Sequence, residues 1–291
     1  MNFVKRLIQK EFPFLFACPA LIWQIFFLYL PLAVLIFYSF TEKEKITLFI
    51  TFTFSHYQAI LSPLYFKVIF NSIVVATITA SICLIISYPV AYFFAMKVKR
   101  FKTLFLFSLI LPSWTSFIVQ VYAWFFLLQK KSFLSFTLQK LGIISKTTHL
   151  LNNFFSILVG MIYCFLPFMI LPIYAVLEKM NKELLEASAD LGANWFETFR
   201  RVIFPLSFPG VMVGFLLVFI PSFGEFAIPD LLGGGQKAVY WGTMIVEKFL
   251  MTKDWQSGSA LTAVGILILF SSFLLVYFAT ILYKKIIRNR F

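Results

Sequence analysis

Long apolar runs separated by short polar segments make up most of this chain. A helix needs about 20 mostly apolar residues to cross the roughly 30 Å hydrocarbon core of a bilayer. Six runs reach that length, approximately from Phe14 to Phe40, Val68 to Met96, Leu104 to Leu128, Phe154 to Leu177, Pro205 to Phe226 and Leu261 to Tyr283. The pattern predicts an all-α integral membrane protein with six transmembrane helices in a single domain, residues 1–291.

The positions of lysine and arginine predict the orientation, because basic residues in short loops are retained in the cytoplasm. The connector KVKRFK (97–102) and the tail YKKIIRNR (283–290) are the most basic short segments. We therefore expect both termini in the cytoplasm. Lys5, Arg6 and Lys10 precede the first run as in a signal peptide, but that run is longer than a signal core of roughly 7–15 residues, so we predict an uncleaved span. Four lysines on the opposite side argue mildly against this orientation: Lys130, Lys131, Lys140 and Lys146.

Composition agrees with a membrane protein and excludes several other classes. Hydrophobic residues account for 61% of the chain, which includes 40 phenylalanines, more apolar surface than a soluble domain of this length can bury. The net charge of +13 is scattered along the membrane borders, which argues against nucleic acid binding. The cysteines (Cys18, Cys83, Cys164) and histidines (His56, His149) show no metal-ligand or catalytic spacing, and GGGQK (233–237) is not a nucleotide-binding loop. We predict no metal, no cofactor and no enzymatic centre.

Charged residues concentrate in EASADLGANWFETFRRVIFPLSFPG, residues 186–210, between the fourth and fifth runs. Apolar residues recur there at helical spacing, which predicts an amphipathic pair of helices on the cytoplasmic side. Gly192 divides the pair, since glycine can end a helix in the left-handed conformation. Pro205 either stops the second helix or starts the fifth span. The hairpin either lies on lipid headgroups or docks a cytoplasmic partner.

One motif in this hairpin favours docking. Glu186, Ala187 and Ser188, then Gly192, then Val202, Phe204 and Pro205 resemble the EAA loop of ABC importer permeases of the MetI-like type I class, with its spacing kept throughout. Ser188, Val202 and Phe204 differ modestly in size from the family pattern. The resemblance implies a coupling helix, within the loop 178–205, that sits in a groove of an ATP-binding subunit. The residues implied in that coupling are Glu186, Ala187, Gly192, Leu191, Trp195, Phe199, Arg200 and Pro205, with Leu191 and the stretch from Trp195 to Phe199 as anchors and Glu186 and Arg200 at the rim.

A second motif concerns the substrate. FIPSFGEFAIPDLLGG (219–234) closely resembles the corresponding region of spermidine/putrescine permeases, as do PALIWQ (19–24) and Pro31. A carboxylate bordering an apolar span is costly, so Glu225 is a functional candidate, and helix rise places it near the outer surface. Polyamines are polycations, which carboxylates and aromatic faces bind. The candidates for the substrate path are Glu225, Asp230, Phe223, Phe226, Tyr122, Trp124 and Trp241, although any single aromatic here more often packs in the core or against lipid.

The resemblance also implies partners. These are two copies of an ABC ATP-binding subunit, a second homologous permease, a periplasmic substrate-binding protein and the lipid of the inner membrane. The outer segment GGGQKAVYWGTMIVEKF (233–249) is predicted to be a connector with a short helix that contacts the binding protein. Related permeases carry iron, sulfate or other small solutes, so those substrates remain alternatives. A secondary carrier would need ionisable residues deep in its spans and inverted repeats, and neither is evident. A structural scaffold would leave the spaced glutamate, glycine and proline unexplained.

Overall fold

The structure is a computed structural model that describes residues 18–43, 50–98, 100–145, 149–235 and 238–288. The predictions made on residues 14–17, Lys5, Arg6, Lys10, Lys99, Lys146, Gln236, Lys237, Asn289 and Arg290 lie outside these ranges. Within them the helices are α1 (Leu30–Ser39), α2 (Ser55–Ile60), α3 (Pro63–Tyr92), α4 (Lys102–Ile110), α5 (Phe117–Leu128), α6 (Phe133–Lys140), α7 (Phe154–Glu178), α8 (Glu183–Asp190), α9 (Trp195–Thr198), α10 (Phe204–Gly224), α11 (Ala227–Leu232), α12 (Trp241–Val246) and α13 (Trp255–Arg288). The predicted helical membrane fold is confirmed.

Short irregular pieces complete the secondary structure. Wide, π-helical turns occupy Ile25–Tyr29, Phe93–Lys97, Phe199–Ile203 and Glu247–Met251, and a 3₁₀ turn occupies Leu111–Trp114. Two three-residue strands, β1 (Thr41–Lys43) and β2 (Ile50–Phe52), pair antiparallel with Thr41 opposite Phe52. The chain divides into two compact units, Met1–Ser62 with Glu247–Leu267, and Pro63–Val246 with Ile268–Phe291.

The first unit contains a helical run of 22 residues, Cys18–Ser39, long and apolar enough to span a membrane. His56 joins its hairpin to the start of α13, since Nε2–H donates to Thr41 O (3.2 Å) and Nδ1 lies 3.1 Å from the Ser257 hydroxyl oxygen. Asp254 Oδ1 accepts the Ser257 N–H (3.1 Å), so α13 begins six residues before the predicted Leu261. Burial alone would raise the pKa of Asp254, but the bonds from Ser257 and the charge of Lys248 outweigh it and lower that pKa.

The second unit is built on mutual packing of α3, α7 and α10. Small residues make this possible, because a Cβ added at Gly210 would lie 2.8 Å from Pro172 O, and one at Gly214 would lie 2.8 Å from Met169 Sδ. These two glycines face α7 at close range, so they form a helix-packing surface. The run from Phe154 to Leu177 predicted a helix that coincides with α7 to within one residue.

The third run does not form one straight helix. Where a single span from Leu104 to Leu128 is predicted, α4 and α5 meet at a bend of 88°. The bend begins at Pro112. Thr115 Oγ1 donates to Pro112 O (2.7 Å), and Gln120 Nε2 donates to the same oxygen (2.8 Å). Polar side chains thus add to the Thr115 N–H (3.1 Å) as donors to a carbonyl that accepts no i+4 helical bond. Across the described ranges, five helices are long and apolar enough to cross a membrane, or six if the bent pair counts as one span.

The fifth span is longer than its apolar run. Pro205 was expected to stop one helix or start the next, whereas a continuous helical run extends from Trp195 to Gly224. Pro205 lies in the first turn of α10, directly after the wide turn Phe199–Ile203. A proline ring clashes with the carbonyl four residues earlier in an ordinary helix, here that of Arg201, and a widened turn relieves such a clash.

Candidate coupling hairpin and translocation path

The coupling hairpin, residues 183–203, is formed by α8, a tight turn, α9 and the wide turn that follows. Gly192 adopts φ +78° in the turn, the left-handed conformation that the sequence predicts for it. A Cβ placed there would meet nothing within 4 Å. Glycine is therefore required by backbone conformation and not by lack of space.

Two polar contacts fix the hairpin, and sequence reasoning missed both. Asn194 Oδ1 accepts the Glu197 N–H (2.9 Å) while Glu197 Oε2 accepts the Asn194 N–H (3.1 Å), a reciprocal cap that starts α9. Ser188 Oγ and Thr198 Oγ1, 2.9 Å apart, join α8 to α9. Asn-x-x-Glu is a readable capping signature, whereas the Ser188 contact has no sequence signal.

Aromatic side chains attach the second half of the hairpin to the membrane helices. Trp195 stacks on Phe199 with centroids 5.5 Å apart, and Phe199 meets Tyr88 of α3 edge-on at 5.4 Å. Trp195 also contacts Tyr92, at 6.5 Å. The Tyr88 hydroxyl lies 2.7 Å from Ser207 Oγ of α10. Phe199, predicted as an anchor for the ATP-binding subunit, is half-buried and packs on α3 of its own chain.

The tip of the hairpin and the start of α9 present an apolar surface that is mostly exposed. Leu191 is 88% exposed, and Trp195 and Phe196 are 63% and 61% exposed. Glu186 and Arg200 are exposed, and neither forms an ion pair with another described residue. The arrangement is an apolar centre with a charged border, which is typical of a protein docking site.

A cleft of about 460 Å³ opens at the base of the hairpin. Its walls are the end of α7, Leu184 of α8 and Leu206 of α10, with Lys179 at its edge. The cleft separates α8 from the membrane helices, whereas α9 is bound to them. The two arms of the hairpin are therefore held to different degrees.

On the opposite end of α10, Glu225 caps a short helix. Its Oε1 accepts the N–H groups of Phe226 (3.1 Å), Ala227 (2.8 Å) and Ile228 (3.3 Å), at the start of α11. Its other oxygen, Oε2, has no hydrogen-bond partner in the described part of the chain. The sequence predicted Glu225 at an entrance but did not predict the cap. The cap uses only Oε1, so Oε2 is available to another group.

The far end of α11 is fixed as well. Leu232 O accepts both the Ser156 hydroxyl (2.7 Å) and the Asn152 N–H (2.8 Å). Asn153 and Ser156 form the cap of α7, so α11 is joined to the start of that helix. A helix of six residues would not hold its shape alone, and these contacts provide the support.

The structure brings some predicted path residues together and separates others. Phe223 and Trp241 are buried and tilted against each other, with centroids 6.4 Å apart. The backbone N–H of Trp241 donates to Ser72 Oγ of α3 (2.8 Å). Both rings lie inside the packed unit, so they support the Gly224 end of α10.

The remaining path residues lie on or beside α5 and α11, which contact each other. Tyr122, on α5, is exposed, and Trp124 meets Tyr163 of α7 edge-on at 5.4 Å. Phe226 and Asp230 are exposed on the segment that Glu225 caps. Glu225, Phe226 and Asp230 thus lie on one short segment. The described residues contain no group of three His, Cys, Asp or Glu that could hold a metal ion.

Comparisons with known proteins relate this arrangement to transport proteins. Residues 87–288 match the family model "Binding-protein-dependent transport system inner membrane component". The chain is 35% identical over 274 residues to "Spermidine/putrescine transport system permease protein PotB" of Haemophilus influenzae, covering 94% of this chain and 95% of that protein. It is 36% identical over 267 residues to the protein of the same name from Escherichia coli, covering 91% and 96%. "Inner membrane ABC transporter permease protein YdcU" of Escherichia coli is 30% identical over 270 residues, covering 88% and 86%.

Two solved structures resemble this chain in fold along nearly its whole length. A chain in the crystal structure of a bacterial ABC transporter involved in the import of the acidic polysaccharide alginate superimposes with a TM-score of 0.72 at 16% identity, covering 98% of this chain and 99% of that one. A second structure of an alginate ABC transporter, in complex with an alginate pentasaccharide-bound periplasmic protein, gives 0.73 at 15% identity, with 99% of each chain covered. At these identities the likeness establishes the fold alone.

Proposed function

The chain belongs to the family of binding-protein-dependent transport system inner membrane components, and from this premise we propose that it is the permease subunit of an ATP-driven importer of polyamines. The relatives named as spermidine/putrescine permeases align along nearly their whole length, which supports this substrate class. The carboxylates of half-buried Glu225 and exposed Asp230, at the outer end of α10, fit a polycation. Both termini lie in the cytoplasm in this proposal, and the hairpin faces the same side.

The exposed tip of the coupling hairpin is the observation that carries the proposal. Leu191 is the most exposed of the large hydrophobic side chains described. An apolar side chain held out on a rigid turn, with charges beside it, is suited to enter a groove on another protein. That protein is an ABC ATP-binding subunit, present in two copies, which hydrolyses ATP for a chain that has no nucleotide-binding motif of its own.

Movement of the hairpin would reach the membrane helices through its aromatic contacts. Trp195 and Phe199 contact Tyr92 and Tyr88 of α3, and Tyr88 is hydrogen bonded to Ser207 of α10. Close-packed side chains transmit displacement because they have little room to deform. A rotation of the ATP-binding subunits would therefore move α3 and α10 with the hairpin, which changes access to the path from one side to the other.

The outer end of α10 would receive the substrate. Glu225 uses Oε1 to hold α11 in place and keeps Oε2 for a cationic amine, with Asp230 and the ring of Phe226 on the same element. Charge attraction and the aromatic face then act together on a diamine or triamine. A second homologous permease would supply the facing wall, and a periplasmic binding protein would deliver the polyamine.

The test is uptake of labelled spermidine and putrescine by cells that lack this chain, with and without its restoration. We expect accumulation only on restoration, and co-purification of an ATP-binding subunit in mild detergent. Accumulation that does not change would refute the substrate, whereas failure to recover an ATPase would refute the importer. If iron or sulfate uptake responded instead, the chain would serve another solute.

A matched pair of variants at Glu225 separates charge from structure. Glu225→Gln keeps an acceptor oxygen for the α11 cap and removes the charge, while Glu225→Ala removes both. If the carboxylate binds the polycation, Glu225→Gln should insert and fold normally and yet raise the KM for uptake. Uptake by Glu225→Gln equal to that of the native chain would show that the residue acts only as a cap.

A further inference from the structure

Helix α6 and the segment that follows it expose apolar side chains. Phe133 and Phe136, which lie on one side of α6, are 82% and 54% exposed, and Leu141 and Ile143 beyond it are exposed too. Ser135, on the opposite side, is buried and donates to Gln129 O (2.8 Å). The side of α6 that carries the two phenylalanines therefore faces outward, where large aromatic side chains are unusual on a soluble protein.

The same segment carries cations and no anions. Lys130, Lys131 and Lys140 are exposed, and none forms an ion pair with another residue that the structure describes. Lys140 Nζ lies 4.6 Å from the centroid of the Phe136 ring, so a cation and an aromatic occupy the same side of α6. From Phe117 to Leu177 the sequence contains no aspartate or glutamate.

We propose that α6 lies in the membrane interface, with Phe133 and Phe136 among the acyl chains and the lysines at the phosphates of anionic phospholipids. Lysine stems reach along apolar surface while the ammonium stays in the polar layer, and aromatic rings favour the same depth. The exposed face of α6 supplies both on one side, as interfacial helices do. Four residues separate α6 from α5, itself an apolar helix with exposed Val119 and Phe126, so the lipid-facing surface continues between them.

The exposed surface of α6 and its neighbouring lysines has a role in anchoring to lipid, separate from binding of the substrate. An uncompensated group of lysines near the outer entrance would repel a polycation. Phospholipid phosphates neutralise the lysines and hold α6 at the membrane surface, which fixes the adjoining end of α5, the helix that contacts α11. The position of α6 at the membrane interface does not depend on which solute the chain carries.

Spin labels test the position of α6 in the assembled transporter. Cys83 and Cys164 are buried, so labels can be attached at Phe133→Cys, Phe136→Cys or the control Gln58→Cys once Cys18→Ser is introduced. Gln58 is an exposed polar residue of α2. The transporter is reconstituted in vesicles of phosphatidylglycerol with phosphatidylcholine, and collisions of each label with oxygen and with a water-soluble nickel chelate are compared.

We expect the oxygen-to-nickel collision ratio to be several-fold higher at positions 133 and 136 than at 58. The ratio should fall in phosphatidylcholine alone, and also when Lys130→Gln, Lys131→Gln and Lys140→Gln are combined. Ratios equal to that of position 58 would overturn the proposal, as would labels that become shielded only when the soluble binding protein is added. A ratio that the lysine variants leave unchanged would refute the role of anionic lipid.

If a cysteine variant fails to insert, quenching of tryptophan fluorescence provides a second measurement. Phe133→Trp should add fluorescence that brominated lipid quenches, relative to the native chain in the same vesicles. Added fluorescence that brominated lipid leaves unchanged would contradict the proposal. Neither measurement uses polyamine, so its failure is separate from failure of the uptake experiment.

Discussion

Replacing Gly192 with valine is expected to uncouple ATP hydrolysis from uptake while leaving the chain inserted in the membrane. The reason lies in the backbone, because Gly192 holds φ +78° in a turn where a Cβ would meet nothing within 4 Å. Steric overlap with neighbours is thereby excluded as the cause. Only the left-handed conformation disfavours a larger residue, and it disfavours β-branched residues most.

The size of the effect follows from that conformation. A residue with a Cβ loses about 1–2 kcal/mol in the left-handed region. Since about 1.4 kcal/mol is tenfold in an equilibrium constant, Gly192→Val should lower the equilibrium constant for forming this turn by about 5- to 30-fold. The Leu191 side chain, one residue before the turn, would then be held in its docking direction less firmly.

Asparagine provides the control, because it adopts the left-handed conformation more readily than other residues with a Cβ. ATPase activity and polyamine uptake would be measured together in proteoliposomes that contain the assembled transporter. Gly192→Asn should retain uptake per ATP hydrolysed close to the native value, and Gly192→Val should lose most of it. Equal uptake by the two variants would refute the reasoning, whether both are active or both are inactive.

Three further predictions concern other parts of the molecule. Gly242→Ala should destabilise the chain by about 1–3 kcal/mol in thermal unfolding, because the new Cβ would overlap the carbonyl oxygen of Gly224. Gly224→Ala is the control, since its Cβ would meet nothing within 4 Å. Leu191→Ser should change stability by less than about 0.5 kcal/mol but weaken binding of the ATP-binding subunit by about 10- to 100-fold, the loss of one buried leucine. Leu250→Ser, at a residue that is 68% exposed on another segment, should leave that binding unchanged. Asp254, whose pKa is lowered, should stabilise the start of α13 at every pH above the ordinary value of 3.8 and lose that effect as the pH falls through its lowered pKa. Hydrogen exchange of the α13 amides should then rise only in that acid range, and Asp254→Ala should show the rise at neutral pH.

Each of these has an outcome that would contradict it. If Gly224→Ala and Gly242→Ala unfold at the same temperature, the close backbone approach does not limit stability. Binding by Leu191→Ser as tight as by Leu250→Ser would mean that the hairpin tip is not the docking residue. Exchange in Asp254→Ala that matches the native chain would show that the carboxylate does not cap α13.

Much of the helical architecture could be predicted because lipid imposes one requirement on every span. A run of apolar residues must form helix to satisfy its backbone, so Phe154 to Leu177 predicted α7 closely. Gly192 was predictable as a turn for a similarly local reason. The Asn194 cap was also readable, from glutamate three residues later.

The bend between α4 and α5 was harder to foresee. Apolar residues continue on both sides of Pro112, so hydropathy gives no break, and the only signal is a proline followed by serine and threonine. The Tyr88 to Ser207 contact joins residues 119 apart. Such pairs depend on how whole helices pack, which no local pattern specifies.

Pro205 has a consequence for the direction in which the hairpin points. The wide turn at Phe199–Ile203 contains one residue more than an ordinary helical turn would need. Without the proline ring the helix could tighten and absorb that residue, and one residue of α-helix corresponds to about 100° of rotation and about 1.5 Å of rise. A single ring thus sets the angle of the hairpin about the helix axis relative to α10.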